Sequence, residues 1–190
     1  MRYPVSYPNQ RVGIFVDVQN LYHSARNIYH GRVNYEELIQ HLVGERQLIR
    51  AMAYVVKSEG IVDIPATRPG QGGASESSAE SSFFGALEKA GLELRMKDLQ
   101  VWADGAKKAD WDVGMAVDAI RMSSFLDVII LVTGDGDFLP LIDYLKWGAG
   151  RVVEVAAFRR SASAKLQEAA DRFIGIEDVP RAVMKIRMKK

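Results

Sequence analysis

The sequence contains no cysteine, which excludes disulfide bonds and thiolate metal sites and is compatible with a reducing compartment. It has three histidines, too few to favour a zinc site. No apolar run approaches the roughly 20 residues that a membrane-spanning helix requires, and residues 1–10 lack the apolar core of a signal peptide. We therefore expect a cytoplasmic protein with no membrane partner.

The composition is ordinary for a single domain of 190 residues, with 48% hydrophobic and 26% charged residues. The net charge of +1 hides an asymmetry, because residues 181–190 are basic without any acid and the rest of the chain is net acidic. We predict a flexible lead-in at 1–10, one domain at 11–180 and a basic tail at 181–190. A solvated terminus is the favoured interpretation of that tail, and contact with nucleic acid is the alternative.

One stretch, VIILVTGDGDFL at 128–139, combines a buried strand with acids at its end. The β-branched run at 128–132 does not alternate with polar residues, which predicts an interior strand of a parallel sheet. Glycines at 134 and 136 permit a tight turn, and apolar residues then recur at helical spacing. Asp135 and Asp137 therefore lie between a strand and a helix, and Asp137 is predicted to cap that helix.

A second apolar run, at 12–16, also ends in an acid, Asp17, and Asn20 follows within the next helix. In open α/β sheets the ligand crevice lies beyond the carboxyl ends of the strands. The three acids that follow strands should meet there, together with Asp112 at the start of a helix entered from the same edge.

The rest of the chain alternates between strand and helix patterns. Further strands are predicted at 48–56, 92–101, 151–158 and 173–176, the second of them near the sheet edge. Helices are predicted at 21–29, at 34–43 with Asn34 as N-cap, and at 162–170. One further helix is predicted to end at about residue 90, and another to begin near residue 110. Between them lie a Gly/Ser-rich segment at 63–82, whose first half is expected to be mobile, and a polar loop at 103–109. Because no strand pair suggests a hairpin, we predict a three-layer α/β domain with a mostly parallel sheet.

Four carboxylates in one crevice repel one another unless a divalent cation neutralises them, and oxygen ligands favour Mg²⁺ or Mn²⁺. Basic pairs at the rim would suit the flanking phosphates of a phosphodiester substrate, namely Lys107 with Lys108 and Arg159 with Arg160. Asn20 could orient water or a phosphate oxygen. Taken singly, each acid is more often a cap or turn residue, and each basic pair is usually solvated surface.

Other sites fit less well. A dinucleotide fingerprint fails at Leu139, where its third glycine belongs, and an aspartyl phosphatase fails at Gln19, where its second acid belongs. An EF-hand loop lacks its glycine and distal glutamate. Asp118 projects roughly 120° around the helix from Asp112, which predicts a supporting or structural role. The histidines are interpreted as surface residues, and the tryptophans at 102, 111 and 147 as core or interface residues rather than base-stacking platforms.

In the order of these motifs the sequence resembles the NYN-domain group of PIN-like nucleases, most nearly its bacterial LabA-like branch. The matching segments span about residues 12–178 and are FVDVQNL at 15–21, DWDVGMAVDAI at 110–120, LVTGDGDFLPLIDYL at 131–145, and VVEVAAF with SASAKLQEAADRFI at 152–174. A glycine often found before the helix acid of this group is absent here, where Asp110 and Trp111 precede Asp112.

The resemblance implies a PIN-like Rossmannoid fold and a magnesium- or manganese-dependent endoribonuclease, in which metal-bound water attacks RNA in line. The acidic pocket of the group corresponds to Asp17, Asp112, Asp135 and Asp137. Asn20 and Thr133 correspond to its polar support, and Thr133 is also a candidate phosphate contact. Asp118 corresponds to a further acidic position in the helix motif.

Three hypotheses follow. The first is a metal-dependent ribonuclease with RNA as its partner, which an intact acidic set favours. The second is a LabA-like regulatory or RNA-binding module that keeps the pocket but acts through partners. The third is an α/β scaffold whose acids are all caps. A homodimer through Phe83, Phe84 and the tryptophans is a further possibility.

Overall fold

The computed structural model describes residues 6–57, 74–98, 100–101, 107–108 and 111–185. Its strands, in chain order, are β1 (Arg11–Asp17), β2 (Gly31–Val33), β3 (Gln47–Lys57), β4 (Glu93–Asp98), β5 (Gln100–Val101), β6 (Lys107–Lys108), β7 (Val128–Val132), β8 (Val152–Ala157), β9 (Arg172–Gly175) and β10 (Val183–Lys185). Its α-helices are α1 (Val18–Tyr29), α2 (Tyr35–Val43), α3 (Ala74–Lys89), α4 (Asp112–Met122), α5 (Leu139–Asp143) and α6 (Ala164–Ala169). A π-helical turn at Tyr144–Gly148 continues α5.

Six strands form one sheet in the order β4-β3-β1-β7-β8-β9, and every pair in it is parallel. The two strands predicted to end in acids, β1 and β7, are neighbours at its centre. The chain moves outward from β1 to β3 and β4 on one side and from β7 to β8 and β9 on the other. The ends of β1 and β7 therefore flank the point where the strand order reverses, which is where open α/β sheets bind ligands.

The sheet divides the apolar core into two clusters, because successive side chains of a strand point to opposite faces. Ile14 and Val16 of β1 pack in the cluster that includes residues of α1, α2 and α3. Phe15 packs in the other cluster, which includes residues of α4, α5 and α6. Both faces are covered, and the predicted three-layer α/β fold is confirmed.

Several boundaries differ from the expectation. The helix after β1 begins at Val18 rather than at residue 21, because the Asp17 side chain caps it and accepts a hydrogen bond from the Asn20 N–H. The expectation of no hairpin is wrong at β5 and β6, which pair antiparallel. β5 lies at the end of the strand predicted at 92–101, and β6 lies within the loop predicted at 103–109. The strand predicted at 92–101 is divided into β4 and β5, and β4 lies at the sheet edge as expected.

Several predicted segments fall partly outside the described residues, and Trp102, predicted as core or interface, lies outside them. The first half of the Gly/Ser-rich segment at 63–82, predicted to be mobile, also lies outside them, whereas α3 begins at Ala74 within the second half. In the segment predicted as a basic tail, residues 183–185 form β10, which pairs antiparallel with β2. The division into lead-in, domain and tail stays a prediction. Among the described residues, no helix has the length and apolarity needed to cross a membrane.

An ion pair ties the two central strands together at the edge opposite the predicted site. The Arg11 guanidinium donates to both carboxylate oxygens of Asp127, at 2.8 and 3.0 Å, and its backbone N–H donates to the same carboxylate at 2.8 Å. These hydrogen bonds lower the pKa of Asp127 from its ordinary value of 3.8 to about 2. The contribution of the ionised Asp127 carboxylate to the free energy of unfolding is therefore present above pH 3.8 and is lost as the pH falls towards 2.

We predict that Asp127→Asn lowers the free energy of unfolding at pH 7 by about 1 kcal/mol, since a partly exposed pair is worth little more. The difference from the wild type should shrink as the pH falls through the window set by the two pKa values. Urea unfolding of both proteins across acidic pH values would measure it. A difference that stays constant with pH would contradict the assignment.

Candidate active site

A cavity of about 210 Å³ opens at the carboxyl ends of β1, β3 and β7. Side chains from three parts of the sheet edge and from the start of α4 converge on it. The residues that line it are Asp17, Gln19, Asn20, Tyr54, Trp111, Asp112 and Asp135. The structure therefore brings together three of the four predicted acids and Asn20.

Asp17 is partly buried at the end of β1. Its Oδ1 accepts the Asn20 N–H at 3.1 Å, and its Oδ2 accepts the Thr133 hydroxyl at 3.1 Å. Burial raises the pKa of Asp17, and the nearby charge of Asp135 raises it further, whereas the hydrogen bonds from Asn20 and Thr133 oppose the shift. The carboxylate is thus held in one orientation but lacks full compensation for its charge.

A chain of hydrogen bonds connects the end of β1 to the turn after β7. The Asn20 Oδ1 accepts the Gly134 N–H at 2.9 Å, and the Thr133 hydroxyl accepts the Asp135 N–H at 3.2 Å. Thr133 is fully buried and contacts both acids through the same hydroxyl. A side chain at Gly134 would meet the backbone of Ala162 at 3.0 Å, so the turn needs glycine where the loop after β8 crosses it.

Asp135 and Asp137 take different positions. Asp135 accepts the Asp137 N–H at 3.0 Å and caps the 3₁₀ turn at Gly136–Phe138 that precedes α5. The prediction that Asp137 is the cap is therefore wrong, because a 3₁₀ turn that begins at Gly136 precedes the helix and has Asp135 as its N-cap. Asp137 is exposed and does not line the cavity, although it follows the lining acid by two residues.

Sequence reasoning missed Gln19, Tyr54 and Trp111. Tyr54 is the β3 partner of Asp17 in the parallel register, and Trp111 directly precedes Asp112. The strand-end rule that selected the acids does not find Tyr54, because Tyr54 lies before the end of β3 and only its pairing with Asp17 brings it to the cavity. The tyrosine hydroxyl donates to Asp118 at 3.0 Å, and Arg95 lies 3.6 Å from the same carboxylate. The place of Asp118 behind the cavity wall agrees with a supporting role.

Arg159 and Arg160 are not among the described residues that line the cavity. Arg159 forms an ion pair with Asp178 at 2.6 Å and lies over the ring of Phe173, and Arg160 is exposed beside it. Lys107 and Lys108 form β6, but their side chains lie outside the described part of the chain. The histidines are exposed, as expected.

The donor chemistry of the cavity fits a hard divalent cation. Its acids supply oxygen ligands, and none of the described residues that line it is basic. Among the described residues, however, no three His, Cys, Asp or Glu side chains lie close enough together to form a ready-made metal site. To bind such an ion together, the carboxylates of Asp17, Asp112 and Asp135 would have to move closer to one another.

Comparisons with known proteins agree with the fold. The model of the NYN domain family matches residues 11–177. A crystal structure of a protein of unknown function from Vibrio parahaemolyticus is 29% identical, with a TM-score of 0.77, and the match covers 95% of this chain and 99% of that one. None of the curated proteins matches the chain.

Proposed function

Because this chain belongs to the NYN domain family, a group of PIN-like nucleases, we propose that it is a divalent-metal-dependent endoribonuclease acting in the acidic cavity. One observation carries the proposal. Asp17, Asp112 and Asp135 come from different elements and line one cavity with no basic residue among its described lining. Three acids that converge on one cavity repel one another unless a divalent cation neutralises them, which supports a bound cation over a structural network.

The protein's residues would share the work as follows. The three lining acids would hold Mg²⁺ or Mn²⁺, with Asp137 reaching in from the rim. When bound, the cation would supply a lowered pKa for a water molecule and stabilisation of charge on the phosphate oxygens. Asn20 uses its Oδ1 within the protein and would donate from its amide nitrogen to water or phosphate.

Thr133 receives a revised assignment. The sequence made it a candidate phosphate contact, but its buried hydroxyl bridges Asp17 and Asp135. We propose that it positions these acids. Lys107, Lys108, Arg159 and Arg160 stay proposed contacts for flanking phosphates of the RNA.

The alternative is a LabA-like regulatory or RNA-binding module without turnover. It is favoured by the capping roles of Asp17 and Asp135 and by the lack of a ready-made metal site among the described residues. Membership of the LabA-like branch, the cytoplasmic location and a homodimer all stay predictions. Of the proposed dimer contacts, Phe83 and Phe84 pack partly buried against the core, whereas Trp147 is 82% exposed.

Cleavage of a labelled single-stranded RNA by the purified protein tests the proposal. We expect cleavage with Mn²⁺, its loss with EDTA, and its return when excess Mn²⁺ is added. Asp135→Asn should lower the rate at least roughly tenfold, because asparagine keeps the turn capped but removes the charge.

The matched control is Glu45→Gln, which removes one exposed negative charge between α2 and β3, at the opposite edge of the sheet. It should cleave like the wild type. Cleavage by Asp135→Asn at the wild-type rate would contradict the proposed role of this acid. RNA binding without cleavage under every condition would favour the regulatory module.

A further inference from the structure

One wall of the acidic cavity is aromatic. Tyr54 and Trp111 line the same cavity as the three acids, with their rings in an edge-to-face arrangement at 5.5 Å and 62°. Phosphate and metal chemistry alone needs no such wall, because an aromatic ring offers no ligand to either. The rings must therefore be explained by packing alone or by a part of the substrate that is itself a flat ring.

The polar atoms of this wall are already hydrogen-bonded within the protein. The Trp111 indole N–H donates to the backbone carbonyl of Val55 at 2.9 Å, and the Tyr54 hydroxyl donates to Asp118. The wall therefore presents only aromatic carbon to a ligand in the cavity. Tyr54 is only 2% exposed and acts as the support, whereas Trp111 is partly exposed and is the ring that a ligand can reach.

The indole is also held in place from two further sides. A side chain at Gly114 would approach Cε3 of Trp111 to 2.5 Å, so the ring rests directly on the first turn of α4. The Lys97 ammonium lies 5.8 Å from the ring centroid and places positive charge at the same rim. A fixed aromatic ring beside a cation is the combination that single-stranded nucleic acid sites use for base and phosphate.

We propose that Trp111 stacks on an unpaired nucleobase of the nucleotide next to the scissile phosphate, with Tyr54 and Asp118 as positioning residues behind it. The inference rests on the proposed function for the identity of the ligand as RNA. A base within a duplex is stacked on its neighbours and cannot reach this wall, so the substrate at the cleavage site is single-stranded. Trp111 also packs partly buried against the core cluster that contains Phe15, as the sequence predicted, and the proposed stacking adds a second role for its exposed part.

A double-mutant cycle, in which Trp111 and one nucleobase are removed singly and together, tests the contact between them directly. Kd is measured in EDTA, which prevents metal-dependent turnover, by fluorescence anisotropy of a short single-stranded RNA. In a series of such RNAs, one nucleoside at a time is replaced by an abasic ribose. With the wild type, the abasic change at one position should raise Kd about 10- to 100-fold. With Trp111→Leu, the same change should have almost no further effect.

Trp147→Leu is the matched control, because it removes an exposed tryptophan in the turn before β8, at the opposite edge of the sheet. It should retain the full abasic penalty. The proposal would be overturned if the abasic change raised Kd in Trp111→Leu by the same factor as in the wild type. It would also be overturned if no abasic position raised the Kd of the wild type. Neither result depends on turnover, so loss of the subsite and loss of the nuclease are separate outcomes.

A second measurement needs no variant and covers the case in which Trp111→Leu does not fold. The wild type is compared on the single strand and on a hairpin whose stem pairs the same segment. We expect the paired form to bind at least about tenfold more weakly, since its bases cannot stack on the wall. Equal affinity for the two forms would overturn the proposal.

Discussion

Asp17→Asn is expected to lower kcat/KM for RNA cleavage by at least about 100-fold while leaving the free energy of unfolding unchanged or slightly higher. Asparagine caps a helix as well as aspartate does and can still accept the Asn20 N–H. It cannot, however, supply the negative charge that a divalent cation requires. Activity and stability should therefore respond in opposite ways.

The pKa of Asp17 supplies the sign of the stability effect. Because burial raises this pKa in the folded state, the carboxylate destabilises the fold at neutral pH, and the effect disappears as the pH falls and the group is protonated. Any gain in stability of Asp17→Asn should accordingly be largest at neutral pH. A functional charge that the fold tolerates at a cost is a frequent property of active sites.

Three measurements separate a metal ligand from a simple helix cap. Cleavage rates, urea unfolding, and the rise in Tm on adding Mn²⁺ are compared for the wild type, Asp17→Asn and Asp17→Ala. Mn²⁺ should raise the Tm of the wild type and have little effect on either variant. Asp17→Ala should in addition lose about 1 kcal/mol of stability with the cap. Full cleavage by Asp17→Asn would show that the residue is only a cap.

Arg46→Met is expected to lower the free energy of unfolding by about 3–5 kcal/mol, because it leaves a buried carboxylate without its partner. Arg46 donates to both oxygens of Glu154 on β8, at 2.8 and 3.1 Å, and both side chains are 4% exposed. The guanidinium also donates to the carbonyls of Leu42 and Val43, at the end of α2. The pair therefore connects the end of that helix to β8.

Urea unfolding at neutral pH measures this cost, and two variants control it. Arg50→Met breaks the pair with Glu93, whose side chains are about half exposed, and should cost less than about 1 kcal/mol. The double variant Arg46→Met/Glu154→Leu removes both buried charges and should recover at least half of the loss. A cost below about 1 kcal/mol for Arg46→Met would mean that Glu154 finds another partner, for which Arg172 at 3.9 Å is the candidate.

The fold followed from the sequence where local pattern decides structure. The unbroken apolar runs of β1 and β7 are strands covered on both faces, and Asn34 caps α2 by accepting the Glu37 N–H. The boundaries that differed depend on tertiary contacts. The short strands β2 and β10 are three residues each, and their pairing joins segments about 150 positions apart, which no local pattern can indicate.

The candidate site shows the same division. Local sequence predicts which acids face the carboxyl edge of the sheet, because a strand that ends in an acid places it there whatever the strand pairs with. It also determined that Asn20 would accompany Asp17, since the two are three residues apart at the start of one helix.

Which residues share the cavity depends on tertiary contacts. The parallel register sets Tyr54 beside Asp17, and the 3₁₀ turn makes Asp135 a lining acid and leaves Asp137 exposed. The position before α4 sets Trp111 against the ring of Tyr54. These positions depend on contacts between segments far apart in the chain. Hydrophobic period and capping preference are properties of neighbouring residues, so they predict the elements, whereas sheet order and register determine the site that the elements form.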